Sequence, residues 1–372
     1  MDAFFNSYKL KFAVMEKYLS PLQRSYDIRK VNVFINLDDI FHRLHKPYEN
    51  DVILSSSTGI DKAMIANVLN LCAHYRQAFV RQGWSTNVYA FYTSIYNGTF
   101  RNELYIEKYR KHYMDISAPS NEDFYAINSC IHSSLDLMNV MTQYITGIYL
   151  VDSSQIEPSV MPYYIADQIH SADWNFIITR DPYDFQYLSY PKWSIFYAHP
   201  TRGTFITRES IWNTVVDLEN MDPPPPVRNF PPEFYQIALY VIGDKYRNIP
   251  KLRRVGWKTM FGLLQQLQEQ TRDLTPAEAD AFMIPILGGK DTAMKFHNNI
   301  VATNVKYQSK LISEIDKAKF LSCFIDIDDR ENLSNLLRIY FKDYPINLGF
   351  LLNDVKEFVR KPKVNQFGMR IY

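Results

Sequence analysis

The chain has 372 residues, which is enough for one large domain or two ordinary ones. Apolar residues make up 47% and charged residues 22% of it, a balance that excludes a disordered chain. The formal net charge of +1 excludes a strongly basic protein, so any nucleic-acid site must be a local patch of positive charge.

Cysteine usage and hydropathy point to the inside of a cell. Cys72, Cys130 and Cys323 are far apart and form no Cys-x-x-Cys pair, which argues against a disulfide framework and a zinc site. The sequence shows no apolar run of about 18 residues and no basic-then-apolar start. We therefore expect a cytoplasmic protein without a membrane segment, in the host cytoplasm or the virion if the source is viral.

The first elements in chain order are typical of an α/β fold. Residues 1–30 place apolar side chains at helical spacing and predict an amphipathic extension ahead of the fold. Residues 31–36 and 86–92 are β-branched and aromatic runs that predict buried strands, and 59–82 predicts a helix between them. A strand–helix–strand unit implies a parallel sheet that binds ligands at the carboxyl ends of its strands.

The later elements continue this pattern and then become helical. In the α/β part we expect a helix over 124–148, a strand over 147–151, a helix opening at Pro162, and a strand with its turn over 174–181. A final strand and hairpin edge are expected at 193–197 and 203–207. Further helices are expected to begin at Thr275 and to cover 300–324 and 331–341. Pro223 to Pro226 predict a stiff connector. The expected domains are a helical extension (1–30), an α/β core (31–222), a helical region (223–320) and a C-terminal extension of unknown role (321–372).

The stretch from Phe230 to Leu264 predicts two short helices joined by a tight turn. The turn contains Gly243-Asp244 and Asn248-Ile249-Pro250, and a second helix opens near Gly256-x-Lys258-Thr259. The free amides at that helix start, together with Lys258, are suited to an anion. The residues alone leave open an αα-hairpin with a solvated basic face.

This stretch resembles the helix–three-turn–helix of the structure-specific 5′-nucleases, the family of flap endonucleases and of phage and bacterial 5′-3′ exonucleases. Two further segments carry the resemblance: Thr99–Lys111, with its Phe-Arg-Asn-Glu-Leu, and the Ile-Ile-Thr-Arg-Asp that ends at Asp181. The resemblance covers residues 31–265. It implies a PIN-like, doubly wound and mainly parallel sheet with a helix–three-turn–helix module and a helical C-terminal extension.

The resemblance also implies a catalytic site whose acids are mostly replaced. In the family, Asp and Glu at the sheet edge hold two divalent metals that activate a water for attack on a phosphodiester. Only Asp181 and Asp244 are retained, and the other acidic positions fall on Asn36, Tyr92, Met161, Tyr163, Tyr164, Tyr183 and Arg247. A neutral phenol is a poor magnesium ligand and would fill the cavity, whereas Arg247 could pair with Asp181 or Asp244. We therefore expect no cofactor and no catalysis.

An alternative alignment would restore some metal ligands. Asp38 and Asp39 lie just past Asn36, while Glu157, Asp167 and Asp184 flank the tyrosine positions. With these acids in place, the chain would be an active 5′-3′ exonuclease or flap endonuclease that uses Mg²⁺ or Mn²⁺.

Basic residues in two segments are the candidates for nucleic-acid binding. They are Arg101, Lys108, Arg110 and Lys111 in the first segment, and Lys251, Arg253, Arg254 and Lys258 in the second. The leading hypothesis is a degenerate 5′-nuclease that binds duplex or branched DNA, a protein partner, or both. The Tyr-, Asn- and Phe-rich composition and the resemblance of the motifs to those of phage 5′-nucleases favour a phage or viral origin. In that setting the protein would be a subunit of a replication, transcription or packaging assembly, or a structural component. A protein-only scaffold, in which the basic patch meets an acidic partner, is the third hypothesis.

Overall fold

The structure is a computed structural model that describes the sheet, helices on both of its faces and the helical hairpin. The described residues are 5–37, 40, 58–92, 134–139, 141–143, 145, 147–152, 156–198, 203–222, 224–225, 230–244, 247, 249–252, 255–270, 283 and 290–312.

A six-stranded sheet forms the centre of the described part of the chain. Its strands are β1 (Lys30–Asn36), β2 (Ser85–Tyr92), β3 (Ile148–Asp152), β4 (Trp174–Thr179), β5 (Trp193–Tyr197) and β6 (Thr204–Ile206). The spatial order is β3-β2-β1-β4-β5-β6, with β1 to β5 parallel and β6 antiparallel to β5. The chain order reverses between β1 and β4, where a doubly wound sheet opens a crevice at its carboxyl edge.

Helical segments pack on both faces of this sheet. They are α1 (Phe12–Ser25), α2 (Thr58–Val80), α3 (Met161–Tyr164), α4 (Ile211–Leu218), α5 (Phe234–Ile242), α6 (Trp257–Gln270), α7 (Lys290–Thr303) and α8 (Val305–Ser309). The 3-10 turn Pro158–Val160 precedes α3, the π-turn Ile165–Ile169 follows it, and the 3-10 helix Pro182–Ser189 follows β4. Among the described residues, no helix combines the length and the apolarity that crossing a bilayer requires.

Strand alternation divides the buried side chains into two cores. Val33 and Ile35 of β1 join α1 and α2 in one cluster, which we call the α2-side core. Phe34, between them, joins α5 and α6 in the other cluster, the hairpin-side core. Because successive strand residues point to opposite faces and both faces are covered, the strands are mostly apolar, and the buried Asn32 of β1 donates to Asn175 of β4 at 3.1 Å.

The N-terminal segment is part of the α2-side core. Phe5, Tyr8 and Leu10 are at most 5% exposed and pack in the same cluster as the strands. The Tyr75 hydroxyl donates to the Tyr8 carbonyl at 2.5 Å, and His74 Nε2 lies 2.8 Å from the Leu10 carbonyl. The predicted extension is therefore docked on the α/β core.

A glycine-dependent turn closes the hairpin. Gly243 ends α5 with φ 68°, and an added Cβ would lie 2.3 Å from the Ile249 carbonyl oxygen, so only glycine fits. The amide of Asp244 donates to the Ile249 carbonyl at 3.0 Å, and the Ile249 amide donates to the Asp244 carbonyl at 2.8 Å. The predicted turn is confirmed, and α6 begins at Trp257, where a second helix was expected.

Helix α7 fastens the hairpin from outside. The buried Asn299 side chain donates to the carbonyls of Tyr240 and Pro250, both at 2.8 Å. These acceptors lie on the two sides of the turn, so one amide group holds both of them.

Most predicted boundaries agree with the structure to within two residues, and those of two helices do not. The helix expected over 300–324 is wrong in its described part, because α7 already ends at Thr303 and α8 begins at Val305. Asn304 separates them, since its side chain accepts a hydrogen bond from the Tyr307 amide and caps α8. The helix expected over 124–148 is wrong at its end, because its described helical residues are 134–139 and 141–142 and β3 already begins at Ile148. The helices expected at Thr275 and over 331–341 lie outside the described residues.

Candidate functional site

The carboxyl edge of the sheet brings together the positions at which the sequence predicted a site. Asn36 ends β1 and Thr179 ends β4, the two strands at which the chain order reverses. Asp152 ends β3 opposite Tyr92 of β2. The loop after β4 carries Asp181 into this edge.

Hydrogen bonds fix the Asp181 carboxylate. Its Oδ1 accepts from the Tyr183 amide at 2.9 Å and caps the 3-10 helix Pro182–Ser189. The Asp181 amide donates to Thr179 Oγ1 at 2.9 Å, and the Thr179 hydroxyl donates to Asp184 at 2.7 Å. The second oxygen, Oδ2, is thereby directed at the hairpin.

Arg247 bridges the two retained acids. Its Nη2 lies 2.5 Å from Asp181 Oδ2, and its Nη1 lies 2.8 Å from Asp244 Oδ2. The Arg247 amide also donates to Asp244 Oδ1 at 2.9 Å. Its guanidinium carbon lies 3.8 Å from the centroid of the Tyr183 ring. The pairing proposed from the sequence is confirmed, with both acids rather than with one of them.

The bridge is largely removed from water. The side chains of Arg247 and Asp244 are each 10% exposed, and that of Asp181 is 14% exposed. Together the three carry one net negative charge. Burial, reinforced by the charges of Asp181 and Asp244, raises the pKa of Tyr235 well above its usual value. Its phenol therefore stays neutral and donates to the Pro182 carbonyl at 2.8 Å.

Three of the four predicted tyrosines lie on one side of the sheet. Tyr164 and Tyr183 belong to the hairpin-side core, and the half-buried Tyr163 packs against it. Tyr92 instead belongs to the α2-side core. The reason is strand parity, because Asn36 pairs with Phe91, one residue before Tyr92. Tyr92 therefore does not share a cavity with the other three.

Solved structures of bacteriophage T5 proteins are similar to this chain. They are T5 5′-exonuclease with bound zinc (TM-score 0.52, 14% identity), T5 D15 protein co-crystallised with metal ions (0.50, 15%), and T5 D15 flap endonuclease in a pseudo-enzyme–product complex with DNA and metal ions (0.50, 15%). Each match covers 83% of this chain and 99% of the T5 chain. No protein-family model and no curated protein sequence matches.

The chain has the fold of the T5 5′-nuclease. The predicted fold class, a PIN-like and mainly parallel α/β sheet with added helices, is thus confirmed.

The described residues of this 5′-nuclease fold do not fit a two-metal site. Two divalent ions need several carboxylate oxygens, and among the described residues no group of three or more His, Cys, Asp or Glu is placed to hold one ion. Asp181 and Asp244 have an arginine between them, while Glu157 is buried and Asp167 is exposed. Asp38 and Asp39 lie outside the described residues.

Two of the eight predicted nucleic-acid contacts can be placed on the fold. Lys251 and Lys258 are exposed on the hairpin, Lys258 in the first turn of α6. Lys251 also lies near Glu219. Burial raises the pKa of Glu219, and the positive charge of Lys251 partly opposes this rise. The remaining six lie outside the described residues; they are Arg101, Lys108, Arg110, Lys111, Arg253 and Arg254.

Several residues that shape the site are not predicted by the sequence patterns. Thr179 and Tyr235 orient the Asp181 loop, and Tyr187 donates from its buried hydroxyl to the Ser159 carbonyl at 2.5 Å. Asp152 extends β3 by one residue beyond the predicted end. Thr179 could have been found, because a threonine two residues before a helix-capping Asp often hydrogen-bonds the local backbone. Tyr187 and Tyr235 give no such local signal.

Proposed function

We propose that this protein is a catalytically inactive 5′-nuclease homologue that binds duplex or branched DNA. The observation that carries the proposal is the Arg247 guanidinium between Asp181 and Asp244. A divalent ion at these carboxylates would face a fixed positive charge within a few ångströms, in a setting that screens it poorly. With tyrosines at three more acidic positions of the hairpin side, the edge lacks the charge that hydrolysis requires.

The case for DNA binding comes from the hairpin. Lys251 and Lys258 present positive charge on it, and Lys258 lies in the first turn of α6, where the helix dipole favours an anion. One of the similar T5 structures is a complex with DNA, which supports the same use of the fold here. The proposal includes a place in a phage or viral replication, transcription or packaging assembly, with further protein partners.

An active nuclease is the second candidate. Its support is that Asp181 and Asp244 persist at the edge of the sheet and that similar T5 structures hold metal ions. A protein-only scaffold is the third, supported by Glu219 beside Lys251, since an acid there weakens attraction to phosphate.

Cleavage of a 5′-flap substrate separates the first two candidates. We expect no product with Mg²⁺ or Mn²⁺ under conditions in which a flap endonuclease cuts to completion. Product that disappears in Asp181→Asn or Asp244→Asn would overturn the inactive assignment. Product that persists in both variants would indicate a contaminating nuclease and leave the expectation of no intrinsic cleavage in force.

Salt-dependent affinity tests DNA binding. We expect Lys251→Ala with Lys258→Ala to weaken binding to flapped DNA and to lower the slope of log affinity against log salt by about 1 to 2. Lys17→Ala is the matched control, because Lys17 is an exposed lysine of α1. Helix α1 packs in the α2-side core, on the opposite face of the sheet from the hairpin. Absence of binding at about 50 mM salt, or equal slopes for all variants, would favour the scaffold.

A further inference from the structure

The two acids of the bridge come from different parts of the fold. Asp181 follows β4 and belongs to the sheet edge, whereas Asp244 follows α5 and belongs to the hairpin. Arg247 lies in the same turn as Asp244. Its guanidinium therefore joins the hairpin to the sheet across a sequence separation of 66 residues.

Each of the four carboxylate oxygens of the bridge has a directed partner. The two outer nitrogens of the guanidinium take one carboxylate each, and the backbone amides of Tyr183 and Arg247 take the remaining oxygens. The Tyr183 ring covers one face of the guanidinium at 3.8 Å. The planar guanidinium group suits this arrangement because it carries several donors in fixed directions. Its positive charge is attracted to both carboxylates and to the face of the ring.

We propose that Arg247 is a built-in cation that fastens the hairpin to the sheet and fills a latent divalent-cation site formed by Asp181 and Asp244. The inference rests on the proposed function, since both concern the same carboxylates. It adds that the hairpin holds its position without a bound metal, and that the carboxylates accept a metal once the guanidinium is removed. Chelators should therefore leave the thermal stability of the natural protein unchanged.

The test is Arg247→Ala, followed by thermal unfolding and by electron paramagnetic resonance of free Mn²⁺. We expect the variant to unfold about 5–10 °C lower without metal, because two carboxylates lose their counter-charge. Millimolar Mn²⁺ should recover most of this loss, and the titration should show one bound ion more than the natural protein. Adding Asp181→Asn to Arg247→Ala should abolish both the bound ion and the recovery.

Arg208→Ala is the matched control. Arg208 pairs with Glu233 and donates to the Leu188 carbonyl at 2.7 Å, so it too is a partly buried arginine that joins two elements. Its loss leaves one carboxylate at that bridge, which is a weak divalent site by itself. We expect a lower unfolding temperature that Mn²⁺ does not restore.

Three results would overturn the inference. They are an Arg247→Ala protein that binds no additional Mn²⁺, equal recovery of the Arg208→Ala control, and Mn²⁺ binding by the natural protein that Asp181→Asn removes. If Arg247→Ala does not fold, Arg247→Gln keeps a hydrogen-bonding side chain without the charge, and the same outcomes apply to it. These readouts involve no DNA, so a failure of DNA binding and a failure of this inference are distinguishable.

Discussion

Two neighbouring residues at the end of β4 fasten two different segments to the sheet. Arg180 donates to the Ser7 carbonyl and hydroxyl, both at 2.7 Å, and to the Ala198 carbonyl. Its guanidinium carbon lies 3.6 Å from the centroid of the Tyr8 ring, in the α2-side core. Asp181, the next residue, pairs instead with Arg247 of the hairpin.

The two attachments use the same kind of cation and different acceptors. In both, a guanidinium lies over a tyrosine ring, at 3.6 Å for Arg180 and 3.8 Å for Arg247. The contacts of Arg180 with the N-terminal segment go to neutral oxygens, whereas Arg247 meets two carboxylates. Losing a neutral hydrogen bond leaves an unsatisfied acceptor, but losing a counter-ion leaves a buried charge, which costs more.

The largest expected effect is at the charged attachment. Arg247→Met should lower the free energy of unfolding by about 3–5 kcal/mol, because the two carboxylates remain without their counter-charge. Adding Asp181→Asn and Asp244→Asn should recover much of that loss, since amides keep the hydrogen-bond acceptors and remove the charge. Urea unfolding measures all the variants. A triple variant no more stable than Arg247→Met would contradict the electrostatic explanation.

A smaller effect is expected at the neutral attachment. Arg180→Met should lower the free energy of unfolding by about 2–3 kcal/mol, since the carbonyls of Ser7 and Ala198 lose a donor. Here Asp181→Asn and Asp244→Asn should give no recovery, because those carboxylates pair with Arg247. Urea unfolding of Arg180→Met in both backgrounds measures this difference. Recovery equal to that of Arg247→Met would remove the distinction between the two attachments.

The smallest effect is a pH dependence of the N-terminal attachment. Burial, and the nearby charges of Lys9 and Arg81, lower the pKa of His74 from 6.5 to about 4. Because the unfolded chain then binds more protons, His74 contributes stability above pH 6.5 that is lost as the pH falls towards 4. We expect a loss of about 2 kcal/mol over this range.

His74→Gln provides the control for this pH dependence. The amide of glutamine can still donate to the Leu10 carbonyl, which His74 contacts at 2.8 Å, but it does not titrate. Stability curves between pH 4 and 7 should therefore be flatter for the variant than for the natural protein. Parallel curves would show that other groups cause the loss.

Much of the fold could be predicted because its signals are local. The strands are short, mostly apolar runs, and α2 shows a helical pattern between two of them. The pair Gly243-Asp244 predicts a turn by its residue types alone. The pairing of Arg247 could also be predicted from the sequence, because a basic residue stands at an acidic position of a site that retains Asp181 and Asp244. Each of these inferences needs a few neighbouring residues or one aligned motif.

The sequence by itself determined the α/β class, the helical hairpin and the replacement of acids by tyrosine and arginine. Tertiary structure decided that Tyr92 points away from Tyr183, that Arg247 takes both carboxylates, and that the N-terminal segment docks on Arg180. The first depends on the parity of a strand against its neighbour. The other two depend on how close segments distant in sequence come in the folded chain, and no local pattern encodes such distances.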